Sequence, residues 1–337
     1  MKTYKNLFKE VYSFQNLHLA YLKARKCKRY RKDILKFTYN LEENLLKLKE
    51  ELLNQTYQHG EYKEFIVCDS KKRHIKAAPF RDRVVHHALC NIIESIFDKG
   101  FIYDSYACRK NKGTHRTIKR LDQFVKSADD KLNSKIYCLQ CDVSKYFDSI
   151  NHNILSEIIR KKIADQKILW LTDKIISSSQ EKRDTGIPIG NLTSQLFANA
   201  YLDELDQFIK HQLKIKYYLR YMDDFLILGC EKKELNWIKE KIKEFLKIGL
   251  KLDLHPKKAN IFPINKGISF LGYRIFKNYK LLKKETIKRF IKRIKVYKKR
   301  LNEGTMTQKK FNNSLQSWLS YADFANSNHL IKIFNIH

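Results

Sequence analysis

Two adjacent acids, Asp223 and Asp224, stand in the stretch YLRYMDDFLILG between two runs of large apolar residues. A third, Asp142, closes the strand-like run KIYCLQCD. The apolar runs beside the Asp-Asp pair are too short for helices, and a tight turn between them makes a hairpin with both acids at its tip. If the strand ending at Asp142 lies next to that hairpin, three carboxylates converge. Like charges a few ångströms apart repel strongly or take up protons unless a cation bridges them. Hard oxygen ligands with no Cys or His cluster nearby favour Mg²⁺ or Mn²⁺. A pair of such ions about 3.5–4 Å apart activates an attacking oxygen and stabilises a leaving pyrophosphate. The pattern therefore points to phosphoryl or nucleotidyl transfer. An isolated Asp-Asp turn could equally make surface salt bridges or cap a turn; the third acid at a strand end argues against that.

The elements that must position these acids read as a mixture of helices and strands. NLEENLLKLKEELLN starts a helix with Asn40 as N-cap and Glu43 three residues on, a capping-box pattern, and carries Leu41, Leu45, Leu48 and Leu52 at helical spacing. EFIVCDSKKRHIKAAP reads as a strand pair. RDRVVHHALCNIIESIF reads as a helix capped by Asp82, with Val85, Ala88, Leu89, Ile92, Ile93 and Ile96 inward; His86 and His87 ride on it as packing or surface residues. KIYCLQCDVS is a strand, NHNILSEIIRKKI a helix, TGIPIGNLTSQ a loop and SQLFANAYLDELDQFIKHQL a long amphipathic helix. KKELNWIKEKIKEFLKIG is a helix stopped at Gly249, and LKLDLHPKKANIFP and GISFLGYRIF supply further strands. Helices combined with a strand hairpin predict an α+β core on an antiparallel sheet. Beyond Phe276 the chain becomes densely basic, and Ile287, Ile291, Ile294 and Leu301 mark one packed face of a helix whose other face carries Lys288, Arg289 and Lys292.

The 337 residues carry 68 Lys+Arg against 36 Asp+Glu, a formal net charge of +32. Such an excess repels itself unless a polyanion meets it, and nucleic acid fits better than a membrane surface. No run of about 18 apolar residues suggests a membrane span. The charged start, MKTYKNLFKEVYSFQ, lacks the apolar core of a signal peptide, so a cytoplasmic location is expected. The seven cysteines agree. The close pair Cys138 and Cys141 lies on a strand where i and i+3 point to opposite faces, so both read as reduced and structural rather than zinc-binding.

These stretches carry a resemblance. YMDD in an apolar hairpin is similar to the Tyr-x-Asp-Asp motif of reverse transcriptases. CDVSKYFDSINH resembles their first catalytic motif, GIPIGNLTSQLFANAYL their loop-helix motif, and RDRVVHHAL and SYACRKNKGTHRTI the fingers motifs of bacterial and group II intron-type enzymes. LHPKKANI and FLGYRIF resemble the segments leading to the thumb. Motif order holds from about Lys71 to Phe276. The resemblance implies a right-hand polymerase: an N-terminal helical extension over 1–60, fingers over 61–134 with part of 163–188, an antiparallel palm over 135–276 and a basic helical thumb over 277–337. Most relatives carry Gln-Gly-x-x-x-Ser-Pro in the loop motif; this chain has Ile189, Gly190 and, at the last position, Gln195. Those departures resemble the diversity-generating retroelement branch, and the expectation that no maturase or endonuclease extension follows the thumb agrees. That branch implies error-prone copying of a template-repeat RNA into cDNA, with frequent errors opposite adenines, and a small basic accessory protein as partner; a higher oligomer is also open.

The resemblance implies a role for each motif residue. Asp142 and Asp223 would bridge two Mg²⁺ ions (Mn²⁺ as a substitute), with Asp224 supporting and the Val143 carbonyl as an extra ligand. Phe147, five residues after Asp142, would exclude a ribose 2′-hydroxyl and select dNTPs. Arg73 would clamp the triphosphate with its charged fork. Lys258 would protonate the pyrophosphate. Gly190 lets the backbone approach the nascent base pair, and Ile189 cannot hydrogen-bond as Gln would. Arg109 and Lys112 would meet template phosphates, as would Lys288, Arg289 and Lys292 on the thumb. Three alternatives stand beside this. A group II intron-like or abortive-infection-type reverse transcriptase would differ only at the loop motif. A non-catalytic, maturase-like RNA-binding protein would explain the charge but not three intact acids. A nuclease would not need the aromatic after Asp142. A P-loop is excluded by the missing Lys in GIPIGNLTS.

Overall fold

The computed structural model describes residues 3–68, 72–132, 135–178 and 184–327. Lys71, residues 179–183 of the expected fingers and residues 328–337 of the expected thumb lie outside them. Four helices open the chain: α1 (Phe8–Val11), α2 (Phe14–Ala24), α3 (Lys32–Tyr39) and α4 (Leu41–Leu53). Leu45, Leu48 and Leu52 of α4 are buried at the spacing the sequence predicts. Asn40 does sit at the N-cap of α4, but its side chain makes no capping bond. The antiparallel hairpin β1 (Lys63–Cys68) and β2 (Lys72–Ala77) follows, then the long helix α5 (Phe80–Asp98).

Asp82 does not cap α5, contrary to the sequence expectation. Pro79 holds that position. Asp82 is 1% exposed and accepts from the Tyr57 hydroxyl at 2.7 Å and the Gly60 N–H at 3.1 Å. A buried carboxylate must be matched by donors, and here tertiary donors outweigh a local cap.

After α6 (Thr114–Leu132) comes the central strand β3 (Tyr137–Asp142). Then follow α7 (Tyr146–Ser149), α8 (His152–Lys162), α9 (Gln166–Ser177) and α10 (Leu192–Gln207), which runs on through a π turn to Gln212. The hairpin β4 (Tyr218–Tyr221) and β5 (Asp224–Gly229), helix α11 (Lys232–Leu250) and β6 (Asn260–Pro263) complete an antiparallel sheet in the order β4-β5-β3-β6. Helix α11 passes through Gly249 and ends where Lys251 turns left-handed at φ +50°. Three short strands, β7 (Ile268–Phe270), β8 (Tyr273–Ile275) and β9 (Lys280–Leu282), form a second sheet that crosses the expected boundary at Phe276. Helices α12 (Lys284–Asn302) and α13 (Gln308–Asp323) close the described chain.

Period-two alternation makes the central sheet a wall between two cores. Leu139 and Cys141 of β3, with Phe225 and Ile227 of β5, face the core built on α5, α8 and α10. Cys138, Leu226 and Leu228 face the second core, shared with α6, β7–β9 and α12. Both faces are apolar, which is why these strands read as continuous hydrophobic runs. Within α12 the inner positions are Phe290 and Ile294, while Ile291 is 37% exposed; the Phe290 ring stacks on Trp318 at 3.7 Å. Among the described residues, no helix is long and apolar enough to cross a membrane.

Candidate active site

All three acids lie at one end of the central sheet. Tyr221 pairs with Asp224 across a two-residue turn, Met222-Asp223, in which Met222 takes φ +57°. Asp223 therefore occupies the turn and Asp224 is already the first residue of β5, so the two are not side by side at the tip as the sequence suggested. The register partner of Asp142 is Asp224. Directly opposed residues point to the same face of an antiparallel pair, so Asp142 and Asp224 share the face of Cys138 and Leu226. Asp223 meets the Asp142 segment through its backbone, accepting from Val143 N–H at 3.2 Å. Its charge is felt by the buried Tyr146 on the opposite side, where burial is the main cause holding the phenol far above its usual pKa.

A cavity of about 270 Å³ opens on the Asp142–Asp224 face, lined by those two acids with Lys257, Lys258, Asn260 and Lys283. Lys258 is ion-paired with Asp142 Oδ2. Burial lowers the pKa of Lys283, with Glu285 and Asp224 opposing the shift. Among the described residues, no three His, Cys, Asp or Glu side chains are grouped as a ready-made metal site. The donor set is nonetheless all hard oxygen, and an ammonium already sits on Asp142 where positive charge is required. This is chemistry suited to Mg²⁺ or Mn²⁺.

The four residues assigned to the nucleotide are not among the described residues that line that cavity; two backbone bonds tie the loop before α10 to α7 and to β2. Ile187 N–H donates to the Phe147 carbonyl at 2.9 Å, and Lys76 N–H of β2 donates to the Ile189 carbonyl at 3.1 Å. Asn191, 2% exposed, accepts from Ala78 N–H and donates to the Lys76 carbonyl, each at 3.1 Å. Arg73 lies exposed on the same strand β2, and Phe147 is half-buried on α7. Gly190 has φ +122°, and a Cβ there would stand 2.9 Å from Ile75 Cγ2. Both the dihedral and the contact require glycine. Gly190→Ala is expected to cost about 1–3 kcal/mol of stability and to uncouple the loop from β2. Denaturant melts check the first part, and an unchanged midpoint would reject the strain argument.

One expectation for the template strand is corrected, that for Arg109. Arg109 is turned inward: Nε donates to Asp98 Oδ1 at 2.6 Å, Nη1 donates to the carbonyls of Ile102 and Ser105, and the side chain is 8% exposed. Lys112 donates to the Tyr103 carbonyl at 2.7 Å and lies over the Tyr103 ring. Both brace the segment after α5. On α12, Lys288, Arg289 and Lys292 are exposed as expected.

Sequence reasoning missed the support beneath the turn. Arg220 is 0% exposed and makes two bonds to Asp206 of α10, at 2.7 and 2.6 Å. Its Nη1 donates to the Met222 carbonyl at 3.1 Å and to Asn199 Oδ1 at 3.3 Å. The Tyr218 hydroxyl completes the group, donating to Asp206 at 2.6 Å. Burial pulls the Arg220 pKa down, but the Asp206 carboxylate outweighs it and the net shift is upward. An arginine in the apolar run YYLRYM was the available signal.

Comparison with known proteins now bears on this geometry. The family model described as "Reverse transcriptase (RNA-dependent DNA polymerase)" matches residues 62–275. "Protein YkfC" of Escherichia coli (strain K12) is 26% identical over 270 residues, 68% of this chain and 70% of that protein. "Group II intron-encoded protein LtrA" of Lactococcus lactis subsp. cremoris is 26% identical over 306 residues, 69% of this chain and 50% of that protein. The chain thus spans half the length of that relative. The solved structure of apo telomerase from Candida Tropicalis, truncated from its C-terminal domain, aligns with a TM-score of 0.53 at 16% identity, over 66% of this chain and 55% of that one. The fold is that of a right-hand reverse transcriptase, mixed helix and sheet.

Proposed function

Because the chain belongs to the reverse transcriptase (RNA-dependent DNA polymerase) family, we propose that it extends a primer on an RNA template, and does so with frequent errors as part of a diversity-generating retroelement. The observation that carries the polymerase reading is the pairing of Asp142 with Asp224, one residue from the Val143–Asp223 contact, at an open end of the sheet. The carboxylates of Asp142, Asp223 and Asp224, with the Val143 carbonyl, would hold two Mg²⁺ ions (or Mn²⁺), which when bound activate the primer 3′ oxygen and stabilise the leaving pyrophosphate. Arg73 orients the triphosphate through its fork. Phe147 closes the sugar side against a 2′-hydroxyl. Lys258 delivers a proton to the pyrophosphate. The basic face of α12, with Lys288, Arg289 and Lys292, follows the template–primer backbone. A small basic accessory protein is the expected partner.

The retroelement branch rests on Ile189, which offers an apolar side chain where an amide would bond near the nascent pair. Purified protein should extend a DNA primer on RNA with Mg²⁺, and sequenced cDNA should carry errors concentrated opposite template adenines. Ile189→Gln should reduce those errors several-fold; unchanged error would reject the assignment of infidelity to this residue. Similarity to a group II intron-encoded protein favours a second reading, an intron-linked reverse transcriptase, and evenly faithful copying by the wild type would select it. RNA retention without any extension would select the non-catalytic, maturase-like reading.

A further inference from the structure

The hairpin β1–β2, which carries Arg73, stands out in solvent. β1 is exposed along its whole length, its apolar Phe65, Ile66 and Val67 included, and β2 becomes half-buried from Ile75 on. An angle that packing does not fix along the strands must be set at their base. There the opposed Glu64 and Lys76 pair at 3.2 Å, which binds the strands to each other but not to the rest of the chain. The outward ties of β2 run to the loop before α10: Lys76 N–H donates to the Ile189 carbonyl, and the Asn191 side chain continues the ladder like a peptide group, donating to the Lys76 carbonyl and accepting from Ala78 N–H. Asn191 stands at the N-cap of α10, where asparagine is a favoured cap, yet its side chain makes no capping bond. A favoured local bond is given up for β2.

The loop changes partners at Pro188, which has no N–H to offer either side. Before it, the Asp184 carbonyl accepts from His152 N–H at 2.9 Å, and the N–H groups of Gly186 and Ile187 donate to the carbonyls of Ile150 and Phe147 at 2.8 and 2.9 Å. After it, Ile189 and Asn191 bind β2. Phe147 and the first half of the loop thus form one body, and Arg73, Ile189 and the second half another. The mount beneath Asn191 is firm: Thr193 Oγ1 lies 3.4 Å from His86 Nδ1 of α5 in the core, and the same helix carries Asp206, which holds Arg220 under the catalytic turn. We propose that Asn191 is a positioning residue whose amide sets the angle at which β2 presents Arg73 to the incoming triphosphate and makes Ile189 travel with that strand. The inference rests on the polymerase reading and deepens it. Through Asn191 at its start and Asp206 near its end, α10 is the one rod to which both the nucleotide-binding strand and the turn bearing Asp223 are referred.

Asn191→Ser and Asn191→Asp in the full-length protein test this. Both introduce favoured N-caps, so α10 is not weakened at its start. Ser cannot span both partners, and Asp keeps the acceptor for Ala78 N–H but loses the donor to the Lys76 carbonyl. On an RNA template with Mg²⁺, each variant should raise KM for dNTP about tenfold, lower kcat less than about threefold and leave the Kd for primer–template unchanged. In the absence of nucleotide and template, amide hydrogen exchange at Lys76 should quicken about tenfold in Asn191→Ser while α5 and α10 stay protected. An unchanged KM overturns the positioning role, whatever happens to kcat or to the melting midpoint, and exchange at Lys76 equal to the wild type overturns the claim that the amide fixes the hairpin. If the wild type never extends a primer, the polymerase reading falls, and the exchange comparison still decides whether Asn191 holds β2.

Discussion

Asp223→Asn is expected to abolish RNA-templated primer extension, lowering the rate by about 10³-fold or more, equivalent to some 4 kcal/mol of lost transition-state stabilisation. The substitution keeps the shape of the side chain and removes one negative charge from the turn that touches Val143. The backbone of the turn is set by other groups: it is shaped by Met222 at φ +57° and held from below by Arg220. Stability should therefore stay within about 0.5 kcal/mol, and RNA affinity should hold or rise slightly as a repelling charge is removed. Asp142→Asn should be equally inactive but should also release Lys258 from its ion pair. The measurement is single-nucleotide extension with Mg²⁺ on RNA, with parallel melting curves and RNA titrations. Equal extension by wild type and Asp223→Asn would remove the acids from the reaction and with them the assigned site.

What the sequence disclosed of this site, and what it hid, follows from how far each interaction reaches along the chain. The hairpin around Asp223 was legible because its signal is local: two short apolar runs with a polar break between them. The neighbouring position of Asp142 needed only the family's motif order. Which acids face each other was not legible, since register decides it, and a one-residue shift would have opposed Asp142 to Asp223 instead of Asp224. Asp82 misled for the opposite reason. An acid just before an apolar helix is a good local cap signal, yet Tyr57 and Gly60, which claim it, lie more than twenty residues away. Arg109 misled likewise, because a basic residue in a basic chain looks like a phosphate contact until Asp98 and the carbonyls of Ile102 and Ser105 are seen around it. The Gly249 stop failed because a glycine inside a helix costs only about 1 kcal/mol, which the buried Leu246 and Leu250 on either side of it can offset.

Arg220→Met is expected to lower folding stability by about 3–5 kcal/mol, since it leaves Asp206 charged and unpaired in a core from which water is excluded. Polymerisation should fall with it. Stability loss alone could explain that fall, so the informative variant is the double one, Arg220→Met with Asp206→Asn. Removing both charges takes away the desolvation penalty, and replacing a buried ion pair with neutral groups is often close to neutral in stability. The amide oxygen introduced by Asp206→Asn would still accept from the Tyr218 hydroxyl, which now donates to Asp206 at 2.6 Å. The double variant should therefore recover most of the lost stability. It should not recover activity, because the Met222 carbonyl would still lack the guanidinium donor that holds it at 3.1 Å, and the turn carrying Asp223 would lose its fixed height above the sheet. Denaturant midpoints report the first effect, and extension rates at a temperature where both proteins are folded report the second. A double variant that is both stable and fully active would reduce the pair to a packing device. A single variant less than about 1 kcal/mol below the wild type would mean that water or another donor reaches Asp206. If stability returns without activity, the buried ion pair is a positioning element for the catalytic turn, and its cost in desolvation is the reason an arginine interrupts an otherwise apolar strand.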